Sequence, residues 1–261
     1  MKFTILINTH NQKKYLNEAI SSCIEQEFKD FEIVICDTSN QKTRPKLKKM
    51  DFNQKINYFH YKSKYIHPEM NQMDKVLFGL NKSKGDYICL MDGDDFFNKN
   101  KLNKLHGLIT QKKIFFNQDN PLLSINNLIV NKKKYKDNYF FSILINDWPQ
   151  IYGTSSILVK RKILKEFFEV AQPFRWKYLA IDAQLAIFCK IKFKFSSCFE
   201  GITQKNIHKK SLGNKYSSLF TKKFWLRRYM QHEYSSFIKK EKNINLDYLV
   251  SAIFYFFFKK L

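Results

Sequence analysis

Over the first hundred positions, short unbroken apolar runs alternate with stretches in which apolar residues recur at helical spacing. "FTILIN" (Phe3–Asn8) is apolar on both faces, as a strand in the middle of a covered sheet must be. After it, Tyr15, Leu16, Ala19, Ile20, Cys23 and Ile24 recur every three or four positions. That spacing predicts a helix, with Asn11 placed to cap it. "FEIVICD" (Phe31–Asp37) reads as a second strand and "KINYFHY" (Lys55–Tyr61) as a third. Met73, Val76, Leu77 and Leu80 mark another helix over Asn71–Ser83, ending near Gly85, and "DYICLMD" (Asp86–Asp92) is a fourth strand.

Strands alternating with helices predict an α/β fold with a mostly parallel sheet flanked by helices. Such sheets take their ligands just beyond the carboxyl ends of the strands. Three of the four strands end in polar clusters: Asn8-Thr9-His10, Asp37-Thr38-Ser39 and Asp92-Gly93-Asp94-Asp95. These clusters are expected on one edge of the sheet. Beyond residue 112 the pattern loosens. "DWPQIYGTSSILVKRKIL" (Asp147–Leu164) predicts a loop, a short strand and a helix from near Arg161. "WKYLAIDAQLAIFCKI" (Trp176–Ile191) reads as helical with Asp182 embedded, and "KFKFSS" (Lys192–Ser197) as a strand. From Ser217 onward helices dominate. We therefore expect one domain over residues 1–215, with halves 1–111 and 112–215, and a basic, aromatic, helical C-terminal extension over 216–261.

Composition narrows the class. Of 261 residues 44% are apolar, enough for a sizeable core. Lys and Arg outnumber Asp and Glu by 46 to 23, which points to an anionic partner: nucleic acid, a phosphorylated substrate or an acidic membrane surface. The longest apolar run, "YLVSAIFYFFF" (Tyr248–Phe258), has 11 residues, where a span of a bilayer needs about 20. Met1-Lys2 leads straight into the first strand, so no signal-peptide core is expected. The five cysteines are odd in number, form no CxxC pair and lie mostly in apolar contexts, the pattern of free thiols in a reducing compartment.

Against this basic background the "DGDD" of residues 92–95 stands out. Asp92 and Asp94 flank Gly93, and their carboxylates repel unless a cation lies beside them. Mg²⁺ and Mn²⁺ take oxygen ligands and hold substrate phosphates together with one or two carboxylates. A solvated Asp/Gly turn is the competing explanation. Asp37, at the end of another strand, is suited to accept hydrogen bonds from a base or ribose, or to form a turn.

Together these segments resemble the family 2 glycosyltransferases of the GT-A (Rossmann-like) fold. The likeness is carried by "FTILINTHNQKKYLNEAISSCIEQEFKDFEIVICDTSN" and "GLNKSKGDYICLMDGDDFF". It is good over residues 1–100 and patchy to about 213. It implies an inverting, metal-dependent transfer of a sugar from a nucleotide-diphosphate sugar, with Mn²⁺ or Mg²⁺ as cofactor. By position, Thr9 and Asn11 line the nucleotide pocket, Asp37 contacts base or ribose, and Gly79, Asp92 and Gly93 belong to the donor site. Asp94 is the principal metal ligand, with His208 of "NIHKKSLGN" as a further metal or diphosphate ligand. Asp182 falls at the position of the family's base, although an acid in the first turn of a helix is also favoured by the helix dipole. Trp148 and Tyr152 fall in the acceptor-side segment, where they either stack on a sugar or fill the core. The chain departs from the pattern where Thr38 replaces a second aspartate, and where Val76-Leu77 stand in place of Arg-Asn before Gly79. A diphosphate contact then falls to Lys75, Lys84 or another cation.

The resemblance also implies a saccharide or lipid-linked acceptor, a role in bacterial surface polysaccharide or lipopolysaccharide assembly, and a cytoplasmic location. The aromatic and basic tail suits either peripheral contact with the inner face of the plasma membrane or packing on the main domain. Two other readings stay open: a non-catalytic sugar-nucleotide binder, and a basic nucleic-acid binder, for which no recognised motif occurs.

Overall fold

The computed structural model describes residues 1–41, 55–112, 114, 116–119, 121–125, 128–130, 148, 151–193, 196–198, 202–207, 221–242 and 244–260. Its centre is the four strands read from the apolar runs: β1 (Phe3–Thr9), β2 (Phe31–Asp37), β3 (Lys55–His60) and β4 (Tyr87–Asp92). They pair in parallel in the order β4-β1-β2-β3. Every residue of β1 and β2 is buried, as continuous apolar runs require when helices cover both faces.

Three further strands complete a seven-stranded sheet beside β4. They are β9 (Ile157–Lys160), β6 (Phe116–Asp119) and β10 (Ser196–Cys198). β9 runs antiparallel to both β4 and β6, so the sheet is parallel except at this one strand among its described pairs. A second, four-stranded sheet joins β5 (Phe96–Phe97), β11 (Thr203–Ile207), β7 (Leu122–Ile125) and β8 (Leu128–Val130).

Helices α1 (Lys13–Ile24) and α3 (Lys101–Lys112) supply Leu16, Ala19, Ile20, Leu102 and Leu105 to one core layer, against Ile5, Ile7, Ile33 and Ile35. On the other face lie α2 (Pro68–Lys82), α4 (Arg161–Val170) and α5 (Ile181–Lys192). They bury Met73, Val76, Leu80, Ile163, Leu164, Leu185 and Phe188 against Leu6, Val34 and Leu90. Helix α6 (Lys222–Lys239) adds Tyr234 and Ile238 to this second layer. It is joined by a left-handed Lys240 to α7 (Leu246–Lys260).

Three expectations change at this level. Asn11 does not cap α1: the helix begins at Lys13 after Gln12, and Asn11 instead takes a left-handed bend at φ 57°. Asparagine tolerates that conformation better than most residues. Helix α2 starts a turn earlier than the apolar spacing shows, because Pro68 at its first position fixes a helical φ and needs no donor. The first five residues of Trp176–Ile191 are not helical; α5 begins at Ile181, and a 3-10 turn at Pro173–Arg175 precedes it. The proposed boundary near residue 215 and His208 lie outside the described residues.

Gly79 has a packing reason. A Cβ on it would lie 2.1 Å from Leu6 Cδ1 and 3.0 Å from Cys36 Sγ, so α2 approaches β1 and β2 more closely than any side chain permits. Gly79→Ala is expected to destabilise the fold by about 1–3 kcal/mol, read from urea unfolding, by overpacking a core that is already close-packed.

Candidate functional site

The register brings the polar strand ends together. Asn8 of β1 lies opposite Asp92 of β4, and Thr9 lies opposite Asp37 of β2. All three polar clusters thus share one sheet edge, with β1 between the two acidic ends.

The β1 and β2 ends are tied into a shelf. His10 Nδ1 bonds the Thr38 carbonyl at 2.8 Å, the Asn11 amide donates to Ser39 Oγ at 2.7 Å, and Asn11 Oδ1 accepts from the Asn40 amide at 3.1 Å. Asp37 is fully buried. Its Oδ1 accepts from the Ser39 amide at 2.8 Å and from the Ser39 hydroxyl, and its Oδ2 from the Tyr58 hydroxyl at 2.6 Å. The aspartate therefore organises the loop that follows β2.

The acidic turn is held from three sides. The Gly93 amide donates to the Asn8 carbonyl at 2.9 Å, and a Cβ on Gly93 would lie 2.8 Å from Thr9 Cβ, so only glycine lets the turn sit against the end of β1. Asp92 Oδ1 accepts from Gln72 Nε2 at 2.9 Å, and the Asp92 amide donates to Ser155 Oγ at 2.9 Å. Asp95 is buried and accepts from Ser155 Oγ at 2.6 Å and from the Asn206 amide at 2.9 Å. It locks the turn to the second sheet. Asp94, between these anchored carboxylates, is half-buried.

Two lysines balance the acids. Lys75 is buried and donates to the Thr9 carbonyl at 3.1 Å; burial pushes its pKa down to about 8, against the opposing pull of Asp92 and Asp37. Lys205, on β11, reaches back over Gly153. That glycine has φ 103°, and a Cβ there would lie 2.5 Å from Lys205 Nζ. Burial raises the pKa of both Asp92 and Asp95, and Lys205 opposes the rise at each. Asn8 is also buried, and neither polar atom of its side chain has a partner among the described residues, which leaves both open to water or a ligand.

Underneath, Lys101 Nζ donates to Asp119 Oδ1 at 3.0 Å, to the Ser155 carbonyl at 2.9 Å and to the Thr203 hydroxyl. It joins α3, β6, β11 and the 3-10 turn Thr154–Ser156 in one buried knot, whose Ser155 grips the acidic turn.

The remaining expected residues divide. Asp182 is half-buried in the first turn of α5, where its Oδ1 accepts from the Ala183 amide at 2.7 Å. Tyr152 is half-buried and its amide donates to Gln118 Oε1 at 3.3 Å. Trp148 is a core residue: it is buried, its ring is covered by the Arg228 guanidinium at 5.3 Å, and the ring of His232 meets it at 4.6 Å. Its face is taken by α6, so it offers no stacking surface to a sugar. Gly79 lies in the helix–sheet interface and not at the strand ends. Sequence reading missed Gln72, Ser155, Lys205 and Asn206. The only sequence signal near any of them was "GTSS", a turn former before a strand.

A metal fits the chemistry of this edge. Asp94 and the Asp92 carboxylate offer hard oxygen donors of the kind Mg²⁺ or Mn²⁺ shares with phosphates. Among the described residues no group of three or more His, Cys, Asp or Glu forms a metal cage.

A mostly parallel sheet covered by helices, with its polar strand ends gathered on one edge, is the GT-A fold. The chain belongs to glycosyl transferase family 2, whose family model matches residues 4–168. It is 27% identical over 119 residues to an uncharacterised glycosyltransferase of Haemophilus influenzae, covering 45% of this chain and 46% of that one. It is 27% identical over 122 residues to the poly(ribitol-phosphate) β-N-acetylglucosaminyltransferase TarS of Staphylococcus aureus, covering 42% and 19% respectively. The chain spans less than half the length of the curated relatives it matches. In structure it is similar to S. aureus TarS 1–349 in complex with UDP-GlcNAc (TM-score 0.62, 15% identity, 98% of this chain and 70% of that one). It is also similar to the mannosyltransferase PcManGT from Pyrobaculum calidifontis in complex with GDP-Man and Mn²⁺ (TM-score 0.60, 10% identity, 97% and 69%).

Proposed function

We propose that the protein transfers a sugar, with inversion, from a nucleotide-diphosphate sugar, most simply a UDP-sugar, to a saccharide or lipid-linked acceptor in bacterial surface polysaccharide assembly, at the cytoplasmic side of the membrane. The observation that carries this reading is the meeting of Asp37, the β1 end Thr9–Asn11 and the Asp92–Asp95 turn on one sheet edge. The family match and the nucleotide-sugar complexes of its structural neighbours support it.

In this reading the shelf of Thr9, Asn11 and the Asp37 loop receives the nucleoside. Asp94, with Asp92, holds Mn²⁺ or Mg²⁺, which when bound supplies positive charge to a departing diphosphate. Lys75 and Lys205 keep the acidic turn from flying apart by self-repulsion. Their charge also lies where a diphosphate's negative charge increases. Asp182 accepts the proton of the acceptor hydroxyl, an assignment by family position and by its partial exposure at a helix start.

The test is release of nucleoside diphosphate from UDP- and GDP-sugars by the purified protein. Turnover with Mn²⁺ that is lost in EDTA and restored by metal is the expected result. Asp182→Asn is expected to lower transfer to an added acceptor by about 10²–10⁴-fold while leaving donor binding unchanged. Transfer at the wild-type rate in that variant removes Asp182 from the mechanism.

A further inference from the structure

Helix α7 mixes polar and aromatic side chains on its inner face and is apolar on its outer one. Toward α6 it presents Asp247, which pairs with Arg228 at 2.9 Å and with His232 at 2.7 Å, and the fully buried Ser251. The rings of Tyr255 and Phe254 stack on Tyr229 and Trp225, each at 4.3 Å. Away from α6 it presents Leu246, Leu249, Ile253 and Phe257 and, at the margin, Phe256, whose ring meets Tyr229 at 6.0 Å, at intervals that place all five on one helical face. They are 74%, 48%, 69%, 54% and 59% exposed. Single exposed apolar residues are ordinary; a stripe of five along a helix is not. A helix that only covers a core shows the reverse pattern.

Charge selects what covers the stripe. Residues 221–261 hold nine Lys and Arg against three acids, and one of the three, Asp247, is engaged with Arg228 and His232. Lysines bracket the stripe in sequence, with Lys239, Lys240 and Lys242 before it and Lys259 and Lys260 after it. Two copies meeting through this face would press two basic hairpins together. An anionic bilayer surface accepts the apolar side chains and neutralises the lysines at once. A helix of 15 residues is about 22 Å long, too short to cross the hydrocarbon core, and no helix among the described residues is long and apolar enough to cross a membrane.

We infer that the outer face of α7 docks flat on an anionic membrane surface, with Leu246, Ile253 and Phe257 inserted between headgroups and the flanking lysines on the phosphates.

Co-sedimentation of the full chain with vesicles tests this without reference to sugar transfer, so its failure and that of the transfer reading are separable. Binding is expected to vesicles of phosphatidylcholine with about 30% phosphatidylglycerol, to be much weaker to phosphatidylcholine alone, and to fall as salt rises. The double variant Ile253→Glu/Phe257→Glu is expected to lose at least ~10-fold in partitioning with an unchanged circular dichroism melt. Leu246→Glu, at the helix start, is expected to weaken binding in the same direction and serves as an independent variant. The inference is overturned by any of three results: no binding to anionic vesicles at about 0.1 M salt, equal binding to both vesicle types, or variants that bind like wild type. A wild-type dimer in sedimentation velocity that the double variant dissolves overturns it in favour of self-association.

Discussion

Asp94→Ala is expected to lower nucleotide-sugar turnover by about 10²–10⁴-fold while the melting temperature stays within a few degrees of wild type. Both halves follow from the position of the residue. Asp92 is bonded to Gln72 and Ser155, and Asp95 to Ser155 and Asn206, so these two anchor the turn. Asp94 lies half-buried between them, on the sheet edge proposed to receive the metal. Asp95→Ala provides the contrast. It strands the Asn206 amide and the Ser155 hydroxyl in a buried site, so it is expected to lower stability by about 1–3 kcal/mol together with activity. Steady-state donor hydrolysis with Mn²⁺ and thermal melts on the same preparations separate the two. Equal loss of stability in both variants places Asp94 among the anchors and takes the metal assignment away from it.

Lys101→Met is expected to produce the largest loss of stability of any single substitution considered, about 3–5 kcal/mol, read from urea unfolding near neutral pH. Lys101 and Asp119 are both fully buried, and the ammonium is the only cation bonded to that carboxylate among the described contacts. Removing it leaves Asp119 with the hydroxyl and the backbone amide of Thr203, both neutral donors. The deficit has a definite pH dependence. Burial already raises the Asp119 pKa, opposed by Lys101; without the lysine it rises further. Between the unfolded value, about 3.9, and the raised native value the folded state binds more protons than the unfolded one, so stability falls as pH rises through that range. The deficit of Lys101→Met relative to wild type is therefore greatest near pH 8 and smaller near pH 5. Adding Asp119→Asn to Lys101→Met is expected to recover part of the loss, since it removes the stranded charge. A deficit that does not change with pH, and no recovery in the double variant, would show that the cation–π contact of Lys101 Nζ with the Phe97 ring, 3.9 Å from its centroid, dominates instead.

Strands β1, β2 and β4 were legible because each is a nearly continuous apolar run, as a parallel sheet covered on both faces needs, and β3, at the sheet edge, was legible from the β-prone residues of "KINYFHY". Their polar ends were legible for the same reason: where an apolar run stops at Asn8, Asp37 or Asp92, the chain leaves the core at the carboxyl edge. The second sheet was not legible. β5, β7, β8 and β11 are strands of two to five residues, too short to show a periodicity, and β11 pairs with β5 and β7 from far along the chain. Lys205 and Asn206 reach the acidic turn only through that sheet, so they could not be assigned to it beforehand. Trp148 and Gly79 could not be decided from the sequence for a different reason. An aromatic in a loop and a glycine within a helix look alike whether they face a ligand or a neighbouring element of the core. Only the closure of α6 over one, and of α2 onto β1 at the other, decides between the two.

The central claim is that the edge formed by Thr9–Asn11, Asp37 and the Asp92–Asp95 turn binds a nucleoside diphosphate. A thermal-shift series of nucleoside mono- and diphosphates, with and without Mn²⁺, tests it on wild type and Asp94→Ala. Occupancy at 100 times the dissociation constant stabilises by about 2.7 kcal/mol, a shift well above noise. The account predicts a rise in melting temperature with one nucleoside diphosphate that requires Mn²⁺ and disappears in Asp94→Ala; no shift with any nucleoside diphosphate at millimolar concentration would contradict it.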